Sequence, residues 1–358
     1  MSCVSLLLVI VLLAASVAQK APLGYVPVDE DVGRDMPTLI GVRGYTVETH
    51  YATTPDGYIL TMFRIPFAKG NEVANKRPVL LQHGLLDSSY TWINNYEDQV
   101  SSLYGTSRLT TPHPHTYPHS HSRHHPRPNP HSHPRPCLQS LGYVLADAGY
   151  DVWFGNNRGN RYGRNHTTLD PDSAADAPAF WDFSWDEMAS LDAPTLINYV
   201  LNCTGAASTA WVGHSEGTTQ MWAAASIAGA EDDAFVQEAL SKLDLFVALA
   251  PAAFVSGMKS PFLVKLAESD LVERMLEDGH YEFLPFGPVD TAASQLCHLV
   301  EHACDLTLMA MCGPSRNINA SRIQVYVSET PAGTSTVNMY VHHDAPRSIP
   351  TPKDAQSH

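Results

Sequence analysis

TAWVGHSEGTTQMWAAASIA, residues Thr209 to Ala228, sets an apolar run and an alanine-rich run on either side of Gly213-His214-Ser215-Glu216-Gly217. The first run reads as a short strand, Thr209 to Gly213, and the last, Thr218 to Ala228, as a helix. A bare G-x-S-x-G arises by chance in roughly one chain in ten of this length. The flanking strand and helix are therefore what make it informative, because a nucleophile elbow requires that context. Such a turn is strained and crowded by neighbouring backbone. That accounts for Gly213 and Gly217, and it leaves Ser215 Oγ exposed at the tip.

Acyl transfer at a serine also needs donors aimed at the developing oxyanion. Upstream, Pro78-Val79-Leu80-Leu81-Gln82 is a compact apolar strand that runs into His83-Gly84-Leu85-Leu86. The backbone N–H groups of Leu85 and of Glu216, the residue after Ser215, are the expected pair, each typically worth about 3 kcal/mol in a transition state. A plain turn is the competing reading of His83-Gly84-Leu85. Its position directly after a strand and before the elbow favours the functional one.

The surrounding pattern is α/β. Tyr45 to Tyr51, the turn Pro55-Asp56-Gly57 and Tyr58 to Ile65 read as a hairpin, and Tyr150 to Phe154 as a second central strand entering a Gly/Asn-rich loop. Ser184-Trp185-Asp186-Glu187 fits a capping box, so a helix is expected from there towards Leu201. Leu243 to Leu249 is a further apolar strand. Strands alternating with helices imply a mostly parallel sheet covered on both faces. Beyond Pro251 the chain turns helical and Met/Leu-rich, with Phe262, Leu263, Leu266, Leu271, Met275 and Leu276 at spacings that line one face. Either a helical cap or an ordinary core helix gives that stripe.

At 358 residues with 44% hydrophobic content the chain can bury a large core. A net charge of -15 argues against nucleic acid and acidic membrane surfaces as partners. Val4 to Val17 is apolar and is followed by small Ala18 and polar Gln19, so residues 1–18 read as a secretory signal peptide, too short for the ~20 residues of a membrane span. In a secretory compartment Asn165, Asn202 and Asn319 are glycosylation acceptors by their sequons. A Cys297–Cys304 disulfide and buried free thiols are both open there.

Residues 100–139 break the pattern with Pro-His repeats and almost no core-forming residues. Composition predicts a disordered insertion. Metal binding by the imidazoles is a second reading, although the spacing matches no defined site, so no metal site is assigned. A third takes the run as translated retained intron. Gln99-Val100-Ser101 and Leu138-Gln139 can be encoded with splice-like junctions, and removing 100–139 joins Gln99 in frame to a helical Ser140 to Asp147.

Taken together, His83-Gly84-Leu85-Leu86, Ala146 to Trp153, Gly155-Asn156-Asn157-Arg158-Gly159-Asn160, Phe180 to Met188, Thr330 to Ser335 and the elbow resemble the acid lipase family of α/β-hydrolases, which includes gastric and lysosomal acid lipases and insect lipases. The resemblance covers Gly44 to Asn338 apart from the insertion. It implies an α/β-hydrolase core over 36–253, a cap or lid over 254–338 and a non-family tail over 339–358. It also implies a secreted or lysosomal hydrolase of triacylglycerols or steryl esters, acting at a lipid–water interface without a cofactor.

The family's Ser, Asp, His order also implies an Asp and a His brought by strands beyond the region of Asn338, and neither is identified in this sequence. His342, His343 and Asp344 stand in the wrong order and lack the setting of a strand end. The chain as written is accordingly expected to fold poorly, with an apolar sheet edge uncovered, and to hydrolyse esters at background rates. A non-catalytic lipid-binding relative and a His-rich metal-binding protein on the same scaffold are the alternatives.

Overall fold

The computed structural model describes residues 28–74, 76–95, 140–230, 233–253, 260, 264–266, 269–287 and 318–343. The expected signal peptide, the 100–139 insertion and the Cys297–Cys304 pair lie outside them.

Helix α1 (Met36–Val42) leads into β1 (Glu48–Thr53), β2 (Tyr58–Ile65) and β3 (Pro78–Gln82). After the insertion come α2 (Leu141–Asp147), β4 (Asp151–Phe154), β5 (Asn165–His166), α3 (Ala193–Thr204), β6 (Thr209–His214), α4 (Glu216–Ala230), α5 (Ala234–Ser241) and β7 (Leu243–Leu249). The sheet runs β1-β2-β4-β3-β6-β7, with β5 beside β2. β4, β3, β6 and β7 are parallel, whereas β1, β2 and β5 add an antiparallel flank. The hairpin falls slightly later than the sequence pattern suggests, since Tyr45 leaves the strand to stack on Tyr143 of α2.

Alternation along the central strands divides the core into two layers, as a period of two demands. Val79, Leu81, Val152, Phe154, Ala210 and Val212 pack with α1 and α2. Leu80, Trp153 and Trp211 point the other way and pack on Leu196, Ile197 and Val200 of α3. Trp153 and Trp211 are wholly buried. The antiparallel pairing of β2 with β4 places Arg64 beside Trp153, and Arg64 bridges Asp151 and Glu48 there.

The capping box at Ser184 forms, with Glu187 accepting from the Ser184 N–H at 2.7 Å and Ser184 Oγ accepting from the Asp186 N–H. The helix it opens passes through a π-helical turn, Met188–Asp192, before becoming α3. It stops at Gly205, whose left-handed backbone (φ 67°) lets its N–H reach Leu201 O. Past β7 the described chain holds α6 (Leu271–Glu277), β8 (Glu282–Phe283), α7 (Ile323–Val327), β9 (Thr334–Ser335) and α8 (Thr336–His343), with β8 and β9 paired antiparallel. Helix α8 extends into the region read from sequence as a non-family tail, because Met339 packs with Leu86, Leu266, Val272 and Met275. Among the described residues, no helix is long and apolar enough to cross a membrane.

Candidate active site

Strand β6 ends at His214, Ser215 turns at φ 52°, and α4 begins at Glu216. A left-handed turn at a residue with a side chain costs roughly 1–2 kcal/mol and persists only where its surroundings hold it. They do so here through three hydrogen bonds, to Leu249 and Thr218. The Ser215 N–H donates to Leu249 O at the end of β7 (3.0 Å), and Ser215 O accepts from the Thr218 N–H (2.8 Å) and Thr218 Oγ1 (2.6 Å). The glycines are required by space. A Cβ on Gly213 would stand 2.4 Å from Gly217 O, and one on Gly217 would stand 2.6 Å from Gln82 O. The elbow is thereby packed directly onto the end of β3.

The loop leaving β3 lies against the serine. A Cβ on Gly84 would be 2.9 Å from Ser215 Cβ and 3.3 Å from His214 O, so glycine alone permits this approach. Leu86 adopts φ 59°, its carbonyl accepts from the Ala332 N–H (2.8 Å), and Gly84 O accepts from the Asp87 N–H (3.3 Å). The two backbone N–H groups nominated from sequence, at Leu85 and Glu216, thus belong to segments that converge on Ser215. His214 is half-buried with Nδ1 unbonded, and burial lowers its pKa below the ordinary histidine value.

What the sequence left without a role is the loop after β4, Gly155 to Asn160, which is buried throughout. Asn156 donates from Nδ2 to Thr61 O (2.9 Å) and Ser89 Oγ (3.0 Å), and its Oδ1 accepts from the Ser89 N–H. Asn157 Oδ1 accepts from Gln82 and from Gln220 Nε2 (3.0 Å), while Nδ2 donates to Glu216 Oε1 (3.3 Å). Asn160 Nδ2 reaches His83 Nε2 (3.0 Å), Asn156 Oδ1 (3.0 Å) and Asp87 O (3.4 Å). Arg158 anchors the loop below, bonded to Asp192 (2.7 Å) and Asp56 (2.7 Å) and stacked on Tyr58. Three asparagines within the six residues that follow a fully buried strand were the available signal, since so many amides entering a core must satisfy something there.

Burial dominates the electrostatics of the loop leaving β3. It pushes the His83 imidazole down to about 4, against the Gly84 carbonyl, which favours the charged ring. It pushes the Asp87 carboxyl up to about 6, against hydrogen bonds from the Ser88 N–H and the Thr91 and Thr330 side chains.

The expected cap residues divide. Leu266 and Met275 are buried and Leu271 partly so, in the cluster that covers Leu85 and Leu86, whereas Phe262 and Leu263 lie outside the described residues. Asn338 Nδ2 donates to Glu216 Oε2 (2.9 Å), joining α8 to the elbow. His342 and His343 close α8, and Asp344 lies outside the described residues. Among the described residues, no histidine is hydrogen-bonded to Ser215 Oγ. Asn165 and Asn202 are exposed, Asn319 is half-buried, and Cys203, next to Asn202, is an exposed free thiol.

Residues 36–96 match the family model for a partial alpha/beta-hydrolase lipase region, and residues 115–268 match that for the alpha/beta hydrolase fold. The chain is 36% identical to mouse Lipase member K over 84% of its length and 64% of that protein's. It is 34% identical to human Lysosomal acid lipase/cholesteryl ester hydrolase, covering 87% of this chain and 66% of that one. Against mouse Gastric triacylglycerol lipase it is 34% identical, covering 88% and 68%. The chain therefore spans about two thirds of the length of these relatives.

Proposed function

The chain belongs to the acid lipase family of α/β-hydrolases, and on that premise we propose that it hydrolyses lipid carboxylic esters, triacylglycerols or steryl esters, through an acyl-enzyme on Ser215. The observation that carries this is the meeting of the strained elbow at Ser215 with Gly84, the residue that precedes Leu85 in the loop leaving β3.

In this reading Ser215 Oγ attacks the ester carbonyl and the carbonyl oxygen gains negative charge. The N–H groups of Leu85 and Glu216 receive that charge, the alcohol leaves with a proton, and water then releases the acid from Ser215. The serine needs a general base, and no described residue is assigned that role. The apolar cover formed by Leu86, Leu266, Met275 and Phe283 beside the oxyanion loop suits an acyl chain better than a polar substrate. No cofactor is called on by this chemistry.

Relatives named as a lysosomal and a gastric lipase support a lysosomal or secreted destination, and the exposed Asn165 and Asn202 sequons accord with passage through a glycosylating compartment. The relatives' names likewise favour hydrolysis over the non-catalytic lipid-binding reading. The test is hydrolysis of emulsified triacylglycerol and cholesteryl ester by the full chain. Turnover lost by about four orders of magnitude or more in Ser215→Ala is expected. Lipid binding without Ser215-dependent turnover would instead favour the non-catalytic reading.

A further inference from the structure

His83 is buried at the end of β3, and both of its ring nitrogens are engaged. Nε2 faces the backbone N–H of Asn157 at 3.2 Å and Nδ2 of Asn160 at 3.0 Å. A backbone N–H can only donate, so Nε2 must offer its lone pair. The orientation of the Asn160 amide is fixed independently. Its Oδ1 accepts from the Tyr162 N–H (2.9 Å), and its Nδ2 also faces two acceptors, Asn156 Oδ1 and Asp87 O. On the other side of the ring, Nδ1 lies 2.8 Å from Gly84 O, which can only accept. The proton therefore resides on Nδ1 and the ring is neutral. A second proton on Nε2 would set two donors against a third. Burial, which holds the imidazole pKa near 4, acts in the same direction.

We propose that His83 is a positioning residue for the oxyanion hole, its Nδ1–H holding the Gly84 carbonyl and thereby turning the Leu85 N–H towards Ser215. The C=O and N–H of one trans peptide point in opposite directions, so fixing the Gly84 carbonyl fixes the direction of the Leu85 donor. The peptide has little room to adjust in other ways, because Gly84 is pressed against Ser215 and its carbonyl is also held by the Asp87 N–H at 3.3 Å. Asn157 and Asn160 act one step further back by setting which nitrogen of His83 carries the proton. This inference rests on the Ser215 hydrolase reading and deepens it.

A merely structural His83 would anchor the Gly155 to Asn160 loop through Nε2 and leave Gly84 indifferent. Two substitutions separate these roles. Asparagine at position 83 puts an amide donor near the place of Nδ1, whereas glutamine puts its amide near the place of Nε2. The first measurement is the tautomer in the full-length chain by long-range ¹⁵N–¹H NMR, with the His83 signal assigned by its loss in His83→Asn. A proton on Nδ1 that persists down to about pH 5 is expected; a proton on Nε2, or titration near the ordinary 6.5, overturns the proposal whether or not the protein turns over ester.

The second measurement is the rate of Ser215 phosphonylation by a p-nitrophenyl alkylphosphonate, whose addition develops the same oxyanion, with thermal melts as the folding control. His83→Gln is expected to slow the reaction about 100-fold, and His83→Asn to recover most of that loss. His83→Gln reacting like the unsubstituted chain, or both variants slowed alike, overturns the proposal. If His83→Gln does not fold, Asn160→Asp replaces it. A carboxylate there draws the proton to Nε2, and the expected result is the other tautomer together with slowed phosphonylation; slowing without a tautomer change counts against the proposal. An unsubstituted chain that shows no reaction at Ser215 defeats the hydrolase reading itself, a result distinct from a reactive Ser215 indifferent to His83.

Discussion

Strands β3 and β7 are comparably apolar in sequence and live in different surroundings. β3 lies between β4 and β6 with all five residues buried, and its end delivers His83 and Gly84 to the site. Among the described residues β7 pairs with β6 alone, and none of its seven residues is buried. Leu245 is 45% exposed, as is Trp222, whose ring meets Phe246 edge-on. Yet β7 also serves the site, since Leu249 O holds the Ser215 N–H. Apolar sequence marks both as strands, but neighbours decide whether a strand contributes side-chain burial or only its backbone.

That contrast is open to measurement, beginning with the core. Trp211 of β6 is wholly buried and Trp211→Ala should lower stability by about 3–5 kcal/mol, whereas Leu245→Ala on β7 should lower it by less than about 1 kcal/mol in denaturant titrations. Comparable losses would mean that β7 is covered in solution.

The ion pairs repeat the comparison. Arg158 with Asp192 is buried on both sides, so Arg158→Ala strands a carboxylate and is expected to remove about 3–5 kcal/mol. Arg77 pairs with Asp244 of β7 at a side-chain exposure of 36% and 33%, and with solvent screening Arg77→Ala should change stability by less than about 1 kcal/mol. Thermal melts of the two variants side by side would show whether depth governs the difference.

The third contrast lies within one loop and is smaller. Asp87, raised to about 6 when folded, contributes a stability present below its unfolded pKa near 3.8 and lost as the pH rises through 6. His83, depressed to about 4, contributes a stability present above its unfolded pKa near 6.5 and lost as the pH falls through 4. Their slopes oppose one another between pH 4 and 6. Asp87→Asn should therefore leave a stability that climbs from pH 4 to 6, by up to about 3 kcal/mol relative to the unsubstituted chain. Denaturant midpoints at pH 4, 5 and 6 check this, and an unchanged slope would exclude Asp87 as a titrating group in that window.

Much of this architecture could be read from local pattern. β3 and β7 follow from apolar runs, the Ser184 box from its spacing, and the elbow from glycines that the packed backbone leaves no room to replace. Other features depended on distant partners. The π-helical turn before α3 places Asp192 against Arg158, more than thirty residues away in sequence, and nothing local announces it. Asn157 and Asn160 were visible as motif residues, but their work is to satisfy His83, Gln82, Gln220 and Glu216 from other strands and helices. Helix α5 lacks a long apolar stripe and is held by Val236 and Ala239 packing beneath it, with Asp233 capping its start.

The proposed role of Ser215 as a nucleophile served by the Leu85 and Glu216 donors is open to chemical labelling. Its most direct test is to treat the full chain with an organophosphonate and map the adduct by peptide mass spectrometry. Stoichiometric modification at Ser215 is expected, absent after unfolding and absent in Ser215→Ala. No adduct at Ser215 in the folded chain, or an adduct that forms equally well after unfolding, would contradict it.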